Sequence, residues 1–213
     1  MEVLDYKKEH KDLYLPKTSP MIIDVPPINF LMIDGKGNPN TCEEYKNAVE
    51  VLYGLSYTIK MSKKNEIQHK GYFDYVVPPL EGLWWTQGEA FDGITITDKD
   101  KFCWTSMIRQ PEFVTAEVFE HAKEALRRKK PHLNLELVRL EVWEEGLCAQ
   151  VMHIGPYDEE PDTVKNLEKF IIESGYRNDI SSTRRHHEIY LGDPRKASPD
   201  KMKTVIRHPI AFS

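Results

Sequence analysis

An α+β fold is what this chain predicts, and three observations carry it. Strand-like alternation and helical spacing take turns along the 213 residues in the order strand, helix, strand, strand, and that order is written twice. A composition of 40% hydrophobic and 30% charged residues is ordinary for a globular domain. The halves also echo one another: a glycine turn enters a capped helix, an alternating strand carries an acid (Asp74 or Glu188), and RQP at 109–111 stands against RHP at 207–209. Echoes this coarse also arise by chance. If they record a duplication, residues 21–130 and 134–213 are two βαββ units joined edge to edge. Antiparallel sheets would then carry helices on one face and frame a central ligand cleft on the other.

Residues 1–20 are polar and read as an arm ahead of a single domain spanning 21–213. IIDVPPINFLMIDG (22–35) is extended, with prolines that confine its first part to an edge. In the helix that follows, Thr41 with Glu44 makes a capping box, and Tyr45, Ala48, Val49, Leu52, Leu55 and Ile59 recur at helical spacing. Tyr53 and Tyr57 lie on the margin of that stripe. GYFDYVVP (71–78) alternates as a strand, PLEGLWW (79–85) continues it irregularly, and DKFCWTSMIR (100–109) adds another with Trp104 at its middle. The second helix runs from a Thr115 cap to about Lys129 and closes on RRKK, whose cations suit the negative end of a helix dipole before Pro131. LELVRLEVWEEGLCAQVMHIG (135–155) reads as one or two strands broken at Glu145-Gly146. DTVKNLEKFIIES (162–174) is a helix capped by Asp162 or Thr163 and stopped by Gly175. HHEIYLG (186–192) and TVIRHPI (204–210) are the closing strands.

A formal charge of −5 leaves no electrostatic footprint for nucleic acid. No stretch reaches the about 18 apolar residues of a membrane span, and the opening lacks the basic-then-apolar order of a signal peptide, so a cytoplasmic location away from membranes is expected. Three cysteines, far apart and without a C-x-x-C, indicate neither a disulfide framework nor zinc. H-x-E at 186–188 lacks the P-C-x-x-C that a zinc deaminase needs, DGKGNPN lacks dinucleotide or P-loop spacing, and no G-x-S-x-G occurs. No metal and no cofactor are therefore expected.

In an extended HHEIYLG segment, His186, Glu188 and Tyr190 share one face while His187, Ile189 and Leu191 share the other. An acid between an imidazole and a phenol suits either solvent or a polar-aromatic ligand site, and the residues alone leave both open. Aromatic side chains supply the second signal. Trp84 and Trp85 cannot face the same way in a strand, and Trp85, in step with Glu81 and Leu83, is the one assigned to the cleft.

GNPNTCEEYKNAVEVLYGLSYTIK, PPLEGLWW, WTSMIRQP, EGLCAQVMHIGPYDEEP, HHEIYLGDPR and KTVIRHP, taken in order over about residues 20–210, resemble the GyrI-like small-molecule-binding domain. More closely, they are similar to its free-standing subfamily, which includes cyclopropanoid cyclopropyl hydrolases. The resemblance implies two βαββ units around a cleft, a carboxylate at Glu188 with Tyr190 beside it, and an aromatic cage. For that cage Tyr53, Trp85, Trp104, Tyr157 and Tyr190 are the candidates, with His186 beside the acid and Tyr157 as proton donor. It implies a planar aromatic small molecule as the partner, either hydrolysed at a cyclopropyl ring or, alternatively, bound without chemistry as a lipophilic cation. Regulators with this domain carry an N-terminal DNA-binding unit, for which about twenty residues leave no room, so DNA-directed regulation is not expected.

Overall fold

The computed structural model describes residues 3–65, 69–86, 91, 93–94, 98–192 and 198–213. Two short helices, α1 (Tyr6–Glu9) and α2 (Lys11–Tyr14), precede β1 (Met21–Val25) and β2 (Ile28–Lys36). The chain continues through α3 (Glu43–Lys60), β3 (Leu80–Thr86), β4 (Phe102–Arg109), α4 (Ala116–Lys129) and β5 (Arg139–Trp143). It closes with β6 (Gly146–Ile154), α5 (Glu160–Glu173), β7 (Tyr176–Asn178), β8 (His186–Tyr190) and β9 (Lys203–Phe212).

The two units are β2-α3-β3-β4 and β6-α5-β8-β9. In each, the last strand pairs with both of the others, and β3 pairs with β8, so the sheet order is β1-β6-β9-β8-β3-β4-β2-β5, with β7 on the far end of β9. Every named pairing is antiparallel. The expected α+β architecture of paired βαββ units is therefore present. RQP and RHP occupy matching places: Gln110 reaches Ser56 on α3, just as His208 reaches Glu168 on α5.

Both helices lie on the face that carries Glu188. Tyr45 of α3 packs edge-on against Trp104 of β4 with ring centroids 5.0 Å apart, and Trp104 opposes Trp84, which opposes His186. On the other unit Val164, Leu167 and Ile171 of α5 bury against Ala149, Val151, Ile206 and Ile210. Each helix covers its own unit, and the β3–β8 junction lies between them. Glu188 opposes Ile206, which α5 covers, so the carboxylate lies on the helix side of the sheet. Period-two alternation says which residues share a face, not which face a helix will cover.

The reverse face is closed by the arm, which the sequence left as a polar extension. Leu13 and Tyr14 are buried there, and α1 buries Tyr6 under the Arg109 guanidinium, 4.1 Å from its ring. Three local expectations also change. The N-cap of α3 is Cys42, without a side-chain cap bond, so Thr41 caps nothing, and α5 starts at Glu160 rather than at an Asp162 or Thr163 cap. GYFDYVVP forms no strand; Tyr75 makes a lone bridge to Leu4 while its side chain is fully buried. Thr115 does cap α4, accepting the Val118 N–H, and Gly175 ends α5 with φ of 82°.

Candidate functional site

Strand β8 presents His186, Glu188 and Tyr190 to the space between α3 and α5, as alternation requires. Glu188 faces Gly82 of β3 in register, and the missing side chain makes room. A Cβ at Gly82 would lie 2.7 Å from Trp84 Nε1 and 3.2 Å from the Tyr190 hydroxyl. Those two atoms meet there: the indole N–H donates to the Tyr190 oxygen at 2.8 Å, and that phenol donates to Glu188 Oε2 at 2.7 Å. The other carboxylate oxygen, Oε1, is 2.9 Å from His186 Nε2.

Burial would raise the Glu188 carboxyl, but hydrogen bonds from His186 and Tyr190 and the charge of His186 outweigh it and hold the group below its ordinary range. The Tyr190 phenol goes the other way, pushed well above its ordinary value by burial and by the neighbouring carboxylate. Glu160, at the start of α5, is also pushed well up, first by burial and then by Glu188. The site therefore holds two carboxyls pushed in opposite directions, an arrangement suited to base and acid roles.

Glu188 is not sealed: its side chain is 13% exposed. Tyr45, Tyr53, Tyr157 and Tyr190 are half-buried residues, whereas Trp84 is buried and Trp104 has no exposure at all. Tyr157 stands edge-on to Tyr190 at 5.8 Å, and Tyr45 lies near enough to Glu188 for the carboxylate to raise its phenol. Half-buried tyrosines thus lie near the carboxylate, with buried indoles behind them.

Of the residues expected at the site, Glu188, Tyr190 and Tyr157 come together, and Tyr53 lies on α3 close enough to Tyr45 to affect its ionisation. His186 is beside the acid but 1% exposed, so it contacts Glu188 rather than open space. Trp104 is a buried support, edge-on to Tyr45 and close against Gly35. Trp85 is on the reverse face under the Arg185 guanidinium, 4.7 Å from its ring; its neighbour Trp84 takes the place assigned to it. Asp193, Pro194 and Arg195 of the HHEIYLGDPR motif lie outside the described residues. Sequence reasoning missed Tyr45, read as helix stripe, and Glu160, which lies two residues before the helix read at 162–174. Neither carries a local signal, because each reaches Glu188 only through tertiary packing.

Behind the sheet a second polar cluster is fully enclosed. His187 lies 3.0 Å from Glu81 Oε2 and 3.0 Å from Glu145 Oε2, and Arg207 donates to Glu145 at 2.8 Å, to Gln150 and to the Leu13 carbonyl. Tyr14 donates to Glu81 at 3.3 Å, which ties the arm to this cluster. Among the described residues no group of three or more His, Cys, Asp or Glu is placed to hold a metal ion, and no helix is long and apolar enough to cross a membrane.

Residues 18–211 match the family described as GyrI-like small molecule binding domain. An uncharacterized conserved protein from Listeria innocua is 52% identical over 98% of this chain and 100% of its own, with a TM-score of 0.92. A second Listeria innocua protein, described as a hydrolase, is 51% identical over 98% of this chain and 100% of its own, with a TM-score of 0.89. The C-terminal domain of EcmrR shares the fold at 12% identity and a TM-score of 0.54, over 92% of this chain and 98% of that domain. No curated protein matches the chain.

Proposed function

Because the chain belongs to the GyrI-like small molecule binding domain family, we propose that it binds planar aromatic molecules and hydrolyses the cyclopropyl ring of cyclopropanoid alkylators. The observation that carries the reading is the partly exposed Glu188 carboxylate, held below its ordinary range by His186 and Tyr190, with Tyr45 and Tyr157 close by. A relative described as a hydrolase at 51% identity lends further support.

The chemistry proceeds as follows. A flat substrate stacks against the tyrosine faces, which bind it with little loss of side-chain freedom. Glu188 takes a proton from water as the water oxygen bonds to a cyclopropyl carbon. The strained carbon–carbon bond breaks, and its electron pair flows into the conjugated ring and onto the dienone oxygen. That oxygen takes a proton from the Tyr157 phenol, which regains it from solvent. Tyr190, its proton held tightly by Glu188, stays neutral and orients the base. The product is an aromatic phenol, so the substrate supplies much of the driving force and positioning supplies the rest.

Mass analysis of a cyclopropanoid incubated with catalytic amounts of protein tests this. A water adduct formed in excess over protein is expected. The same site also suits a second reading, because a carboxylate ringed by phenols attracts a flat cation by charge and by cation–π contact. Stoichiometric protection with no adduct would establish that binding role in place of hydrolysis.

A further inference from the structure

Beyond Glu188 the hydrogen bonds do not stop. His186 Nδ1 is 2.7 Å from His208 Nε2, and His208 Nδ1 is 2.6 Å from Glu168 Oε1. Asn178 Nδ2 donates to the same Glu168 oxygen at 2.7 Å and also lies 3.3 Å from His208 Nδ1; its Oδ1 accepts the Ile180 N–H, which fixes the amide orientation. The His186 and His208 side chains are 1% and 0% exposed, whereas those of Glu188 and Glu168 are 13% and 23% exposed. The two imidazoles are therefore enclosed and only the two carboxyl ends are open.

Proton counting makes this a single unit. Four groups form three links, and each link needs one proton to be a hydrogen bond. The two imidazoles carry at least one proton each, so the chain shares a third, held on an imidazole or at a carboxyl end. We infer that His186, His208 and Glu168 form a proton relay joining Glu188 in the cleft to the protein surface. When Glu188 holds the third proton, each imidazole carries its own on Nδ1 and leaves Nε2 bare. Glu188 passes its proton to His186 Nε2, His186 Nδ1 passes its own to His208 Nε2, and His208 Nδ1 passes its own to Glu168. That leaves His186 Nε2–H donating to the ionised Glu188, and Glu168 releases the proton to solvent before the rings return to their Nδ1–H tautomers. Only hydrogens move, and one proton leaves the cleft while water stays out of the sheet interior. Packing enforces the alignment: Phe91 stands edge-on to His186 at 5.1 Å, and a Cβ on Gly93 would come within 2.7 Å of that ring. The other titratable groups facing Glu188 are Glu160 from α5, Tyr45 from α3 and Tyr190, with His187 behind the sheet.

The relay is read first without substrate. In protein labelled with 15N-histidine, a trans-hydrogen-bond coupling between His186 Nδ1 and His208 Nε2 is expected, assigned by its disappearance in His208→Gln. No coupling, with both nitrogens unprotonated, would overturn the relay. Its part in turnover rests on the hydrolytic reading. There Glu168→Gln, at the partly exposed end, is expected to lower kcat about tenfold with unchanged ligand Kd and melting temperature, and concentrated small-molecule buffer should restore the rate. An unaltered kcat in Glu168→Gln would remove the relay from catalysis. If the wild type opens no ring, the hydrolytic reading falls and the histidine coupling alone decides the relay.

Discussion

Glu188 is placed by three constraints at once: β-strand alternation gives its face, Gly82 gives it space, and His186 with Tyr190 give it charge. Glu188→Gln keeps the shape and removes the charge, so turnover should fall by about 100-fold or more while a neutral planar ligand binds as before. Equal rates for the two proteins would take Glu188 out of the mechanism. Trp104→Ala probes a different property. The indole is fully buried against Tyr45, so its loss should cost roughly 3–5 kcal/mol of stability, seen as a lower melting temperature whether or not ligand is present. The acid and its phenol were legible in HHEIYLG because strand periodicity sorts neighbours by face. The choice between the two adjacent tryptophans was not, because both phases of an alternating strand are apolar there; register with β8 settles it for Trp84.

Strand β3 is the element on which the two units depend, since it pairs with β4 inside one unit and with β8 of the other. Its sequence, LEGLWWT, spends one phase on Leu80, Gly82 and Trp84 toward the helices and the other on Glu81, Leu83 and Trp85 toward the arm. Gly82→Ala pushes a methyl group onto Trp84 Nε1 and the Tyr190 oxygen. The expected result is a broken Trp84–Tyr190 hydrogen bond, visible as a shifted indole N–H resonance, with weaker ligand binding and an intact sheet. An unmoved indole resonance would contradict this account of Gly82. The helices teach a related lesson. Their apolar stripes were readable at α3, α4 and α5, but the α3 and α5 starts were misplaced, because the chain uses Cys42 and Glu159 as N-caps without side-chain cap bonds.

The whole molecule is held from behind by the enclosed cluster of His187, Glu81, Glu145 and Arg207, with the arm as its cover. Burial would raise the Glu145 carboxyl, yet His187 and Arg207 hold it at about 2 against an ordinary 4.5. A depressed carboxyl contributes stability above its unfolded value and loses it as pH falls, so the melting temperature should drop between about pH 4.5 and 2. His187 is raised above its ordinary 6.5: burial opposes the shift, and Glu145 and Glu81 overcome it. Its contribution is full below that value and fades as pH rises through the folded one. Glu145→Gln leaves a buried cation partly unpaired and should cost about 3–5 kcal/mol, with a flattened acid limb in thermal melts across pH. An acid limb identical to wild type would show that the cluster is not what fails in acid.

Local order is what the chain specifies directly. Most element types, their order and the shared face of His186, Glu188 and Tyr190 follow from periods of 2 and 3.6, which depend only on neighbouring residues. Which sheet face the helices cover, that Tyr45 and Glu160 approach Glu188, and that His208 and Glu168 extend its hydrogen bonds to the surface depend on contacts between residues far apart in sequence. Such contacts arise from packing area and register across the β3–β8 junction, and no local pattern encodes them.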